Sequence, residues 1–76
     1  MRLRQSIQPV QMKPNTWKIV EREHGTFEIF HRGELLKASI PEKWLEAELG
    51  KYGFCGQAYF EIYRDLRLHG KAERTL

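Results

Sequence analysis

The chain has 76 residues, 41% of them hydrophobic and 12% aromatic, and a formal net charge of +3. This is enough for one small core and too apolar for a disordered chain. The lone Cys55 excludes an internal disulfide, no His/Cys grouping has metal-ligand spacing, and no apolar run approaches the ~20 residues of a membrane span.

Residues 1–15 are expected to form an N-terminal arm, flexible or holding a short strand near Ser6–Gln11. Pro9 and Pro14 interrupt any longer element, and Arg2, Arg4 and Lys13 give the arm its charge. It lacks the apolar stretch of a signal peptide. With a single thiol and no span, a cytoplasmic protein is expected.

"TWKIVER" and "TFEIFH" are rich in β-branched and aromatic residues, as strands are. A two-residue loop between them would set Glu21 opposite Glu28, an unfavourable cross-strand pair. A three-residue loop of Glu23-His24-Gly25 sets Ile19 opposite Ile29 and Trp17 opposite His31, with Gly25 in the left-handed position such loops need. A two-residue turn of Arg32-Gly33 then starts a third strand, pairing Phe30 with Leu35, Ile29 with Leu36 and Glu28 with Lys37. In that register Trp17, Ile19, Phe27, Ile29, Leu36 and Ala38 share one face. The other carries Lys18, Val20, Arg22, Glu28, Phe30, Leu35 and Lys37.

"SIPEKWLEAELG" has the signals of a helix. Ser39 and Glu42 have capping-box spacing, Pro41 falls in the first turn and Gly50 is a stop. Trp44, Leu45 and Leu49 are expected to face inward. A second helix runs from about Gln57 to His69, with Tyr59, Ile62, Tyr63 and Leu66 on its buried face and Gly70 as its stop. Residues 71–76 are expected to fray.

The expected fold class is therefore α+β. A three-stranded antiparallel meander is followed by two helices packed on one face, in the order arm-β-β-β-α-α. One domain spans 16–70, with an arm before it and a tail after it. The coarse order is similar to that of the three-stranded DNA-binding domains of phage-type integrases, a likeness of fold that implies no function by itself.

The glycine-rich turn and second helix also invite a helix-turn-helix reading. Against it, the connection from Gly50 to Gly56 is too long for that motif. The helix's outer side carries Glu61 and Asp65, which repel phosphates. The helix is read as a packing element. Phe60 lies beside its buried stripe, and the arm or the loop around Phe54 is expected to cover it. Cys55, just before the helix, is expected to be a small buried thiol rather than a nucleophile, because no histidine is placed to act as its base. No catalytic pair, metal site or cofactor loop is recognised, and no enzyme is expected.

Two binding readings remain. In the first, DNA or RNA lies on the mixed sheet face, contacted by Lys18, Arg22, Phe30, Arg32 and Lys37, with Arg2, Arg4 and Lys13 adding phosphate contacts. In the second, a protein partner or a second copy of the chain uses free strand edges, the Val20/Phe30/Leu35 patch and Phe60.

Overall fold

A computed structural model describes residues 15–76, the side chain of His24 excepted. Of the expected arm, only Asn15 falls within it. Arg2, Arg4 and Lys13 lie outside the described residues. Strands β1 (Thr16–Glu21), β2 (Thr26–His31) and β3 (Glu34–Pro41) are followed by helices α1 (Glu42–Gly50) and α2 (Gln57–His69). A fourth strand, β4 (Lys71–Thr75), closes the chain. The sheet is antiparallel and open, ordered β3-β2-β1-β4. Both helices lie on one side of it, α1 against β2 and β3, α2 against β1 and β4. The α+β layout is the expected one, with a strand added.

The first hairpin is as read. Trp17 pairs with His31, Ile19 with Ile29 and Glu21 with Phe27. Gly25 ends a 3-10 turn of Glu23–Gly25 at φ 71°, in the left-handed region where a Cβ is penalised. The second turn is also as read: Arg32 (φ 54°) and Gly33 (φ 84°) join Phe30 to Leu35. Positive φ at both central residues matches the twist of the flanking strands.

Beyond that turn the expected register fails. Two shifts lie between Phe30 and Phe27, so Ile29 pairs with Lys37 and Phe27 with Ile40. Each bulge inserts a β3 residue. Leu36 and Ala38 are consequently exposed rather than core-facing. The Glu28–Lys37 pair does not form, and Glu28 instead accepts from Arg22 Nε at 2.8 Å.

The same bulges carry Ile40 into the core, where it is 2% exposed. Ser39 therefore lies within β3, at φ 58°, and the expected capping box is absent. Pro41 is the N-cap and no side chain caps α1. Burying an isoleucine stabilises by about 1.5–3 kcal/mol, more than the ~1 kcal/mol typical of a cap. Leu45 and Leu49 hold the inward stripe of α1, one turn apart. Trp44, expected to face inward, is turned roughly 100° from Leu45 and is 56% exposed.

Helix α2 has the expected bounds. Tyr59, Ile62 and Leu66 are buried, and Tyr63 packs at the margin of the core. Gly70 at φ 75° ends it, its N–H donating to the Leu66 carbonyl at 2.8 Å. This left-handed stop reverses the chain. The residues expected to fray run back beside β1, pairing Val20 with Lys71, Ile19 with Ala72 and Thr16 with Thr75. Ala72 enters the core, and the Arg74 guanidinium bonds the Asp65 carboxylate of α2 at 3.0 Å. The core is thus the space between the helix layer and one sheet face. It is filled by Trp17, Ile19, Phe27, Ile29 and Ile40 from below and by Leu45, Leu49, Tyr59, Ile62 and Leu66 from above.

Candidate functional site

Alternation along β1 sends Trp17 and Ile19 into the core and Lys18 and Val20 to the opposite face. No described element covers that face. Its side chains form rows across the strands. In one row Leu35, Phe30, Lys18 and Glu73 follow one another from β3 to β4; in the next, Glu28, Val20 and Lys71 lie side by side. Arg22, held by Glu28, follows at the far end of β1. Phe30 and Val20 are half-buried and Leu35 is 52% exposed.

Between these rows lies a depression of about 550 Å³, lined by Val20, Phe30, Lys18, Arg22, Lys71 and Glu73, with Thr16, Gly33, His69 and Gly70 at its margins. Three cations and one carboxylate therefore surround a small apolar floor. Neither Lys18 nor Lys71 is ion-paired among the described residues.

Some of the residues expected to bind nucleic acid lie together here and some do not. Lys18, Arg22 and Phe30 meet at the depression, with Val20 in its floor and Leu35 beside Phe30. Arg32 sits at the β2–β3 turn and Lys37 on β3 opposite Ile29, so neither lines it. Phe60 is 60% exposed on α2, on the helix side of the sheet, and the expected cover by the loop around Phe54 does not bury it. It is not part of the Val20/Phe30/Leu35 patch. His69, Lys71 and Glu73 were missed because they depend on β4. The faint signal was the alternation of Lys71, Ala72 and Glu73 directly after a glycine helix stop.

Two other features belong to the framework. Trp17 stacks on His31 at 3.8 Å between ring centroids and meets Tyr52 and Phe54. His31 Nε2 lies 2.6 Å from Asn15 Oδ1, so this histidine fastens the end of the sheet to its core. Cys55, expected to be buried, is exposed, since Phe54 beside it turns inward.

On α2, the Tyr63 hydroxyl donates to Glu42 Oε2 at 2.8 Å, and this bond raises its pKa. Burial, reinforced by the Glu46 charge, raises that of Tyr59. Both groups are on the helix side. Among the described residues no group of three or more His, Cys, Asp or Glu is arranged to hold a metal ion. No described helix is long and apolar enough to cross a membrane. Comparison of the chain with protein families, with curated proteins and with solved structures finds no match.

Proposed function

We propose that the protein is a small non-enzymatic module that binds nucleic acid through the open sheet face. The observation that supports this reading is the meeting of Lys18, Arg22 and Phe30 with Lys71 around one depression that no described element covers. Cations placed beside an aromatic ring suit a ligand with phosphates and flat bases. Arg2, Arg4 and Lys13 would add contacts that depend on salt and not on sequence.

Titrating labelled DNA and RNA with the protein at low and moderate salt tests the reading. Binding in the micromolar range at low salt is expected, weakened by reversing the charge of Lys18 and Lys71. Affinity no better than millimolar at low salt for every nucleic acid refutes it.

A second reading is favoured by charge balance. Residues 15–76 carry ten basic and ten acidic side chains, and opposite charges are neighbours on the open face, Lys18 beside Glu73 and Arg22 beside Glu28. Such a surface around Val20, Phe30 and Leu35 suits a protein partner or a second copy of the chain. Sedimentation at increasing concentration tests self-association, which Leu35→Lys should abolish; a strict monomer argues against a homodimer. Cytoplasmic residence is part of the proposal, because the exposed Cys55 thiol suits a reducing compartment; cell fractionation checks it.

A further inference from the structure

Resting on the nucleic-acid reading, we infer that the ligand of the open face is an unpaired strand. One base lies on Phe30 and Val20, and the adjoining phosphates are held by Lys18 and Lys71. Three observations lead there.

The first is shape. A duplex is read by an element that enters a groove, and the major groove is about 12 Å wide. The outer strands of a four-stranded sheet are about 14 Å apart before side chains are added, at roughly 4.8 Å per strand. With β4 in place the sheet is too broad to enter edge to edge. Its open face offers a depression running from β2 across β1 to the edge strand β4 instead of a ridge.

The second is size. The depression is open on one side, and its volume, about 550 Å³, is that of small-ligand sites. A base with its sugar fits such a volume; a base pair still stacked in a helix does not reach into it.

The third is charge. Duplex affinity comes largely from neutralising a dense row of phosphates, and residues 15–76 have no surplus of cations for that. The cations present are few and placed. Lys18 stands beside Phe30 on one side of the floor. Lys71 stands beside Val20 and diagonally from Lys18, a separation of roughly 7–8 Å along the sheet. Glu73 beside Lys18 repels phosphates from one flank, and on the other Glu28 and Arg22 neutralise each other, which leaves the path between the two lysines to the backbone. The remaining affinity must come from stacking on Phe30, which requires an unpaired base.

Anisotropy titrations of the full chain with a short labelled single strand of mixed sequence, and with the duplex of the same sequence, test this. The single strand is expected to bind at least about tenfold tighter than the duplex. Phe30→Ala should weaken single-strand binding by roughly 5- to 100-fold and Phe30→Trp should preserve it. Lys71→Ala, at an exposed edge position where folding is not at risk, should lower the slope of log affinity against log salt by about 0.7. Circular dichroism of each variant separates lost binding from lost folding. Equal or tighter binding of the duplex, or a folded Phe30→Ala variant with undiminished single-strand binding, overturns the inference and leaves the broader nucleic-acid reading standing. No binding of either probe removes both.

Discussion

Ser39 holds a backbone conformation that suits glycine, φ 58° in a strand, because the bulge around it delivers Ile40 to the core. Left-handed geometry costs a residue with a Cβ about 1–2 kcal/mol. Ser39→Gly is therefore expected to raise the urea midpoint, with a gain in unfolding free energy of up to about 1 kcal/mol once the greater freedom of glycine in the unfolded chain is subtracted. Gly70→Ala should do the reverse and lower stability by about 1–2 kcal/mol. No atom within 4 Å would meet the added methyl, so the loss would come from φ alone. If both substitutions leave the midpoint unchanged, these backbone conformations are not the native ones.

Tyr59 and Tyr63 make a pH prediction. Burial of Tyr59, and donation from Tyr63 to Glu42, hold both phenols above the ordinary value of 10.0. The fold thus favours the protonated form. Their contribution is whole below about pH 10 and is lost as pH rises through the raised values. Urea midpoints taken near pH 8 and near pH 11 should fall for the native chain and fall less for Tyr63→Phe. An equal fall in both contradicts the Tyr63–Glu42 bond.

Side-chain identity makes much of this scale legible: period places Tyr59, Ile62 and Leu66, and period together with the avoided Glu21–Glu28 pair places Trp17, Ile19, Phe27 and Ile29. Trp44 and Cys55 are not placed in this way. Hydrophobicity set an expectation for each, while the start of α1 and the inward turn of Phe54 decided the outcome.

At the scale of elements, the two hairpin turns and α2 could be read because local chemistry specifies them. Glycine at positive φ, charge avoidance across the first hairpin and an i, i+3, i+4, i+7 stripe all act over a few residues. β4 could not, since "KAERTL" has little strand propensity and only Ala72 to bury. It forms because the Gly70 reversal lays it beside β1, where backbone hydrogen bonds and the Arg74–Asp65 pair hold it. The β3 bulges were hidden for a similar reason. Regular alternation and bulged pairing are equally compatible with "ELLKASIP", and the choice is made by where Ile40 can be buried.

Two outcomes test these elements. Truncation after Gly70 should strip one side of β1, expose Ile19 and convert a cooperative thermal transition into a broad one or none. A truncated chain that melts as the full chain does would mean that β4 is dispensable. Leu49→Ala, in the middle of the core, should destabilise by about 2–5 kcal/mol, a large part of the stability of so small a domain. A loss under 1 kcal/mol would contradict the burial of α1 against the sheet.

For the whole molecule, the decisive feature is asymmetry between the two sheet faces. One is sealed by both helices. The other presents Lys18, Val20, Phe30 and Lys71 around a depression, and the excess positive charge of the chain resides in Arg2, Arg4 and Lys13, apart from the balanced residues 15–76. A pI of 9.2 would suggest a basic body, but the side chains of residues 15–76 balance in charge. Sequence alone identified the mixed face through Lys18, Arg22 and Phe30. It could not disclose the depression, which needs Lys71 and Gly70 at its border.

The most direct test is to follow backbone amide resonances of the full chain while a short single strand is added. The account predicts that the shifts concentrate on β1, β2 and β4, at Lys18, Val20, Phe30 and Lys71 and their neighbours, with α1 and the outer side of α2 unmoved. Shifts centred on Phe60, Arg64 and Leu68 of α2, or none beyond residues 1–14, would contradict it.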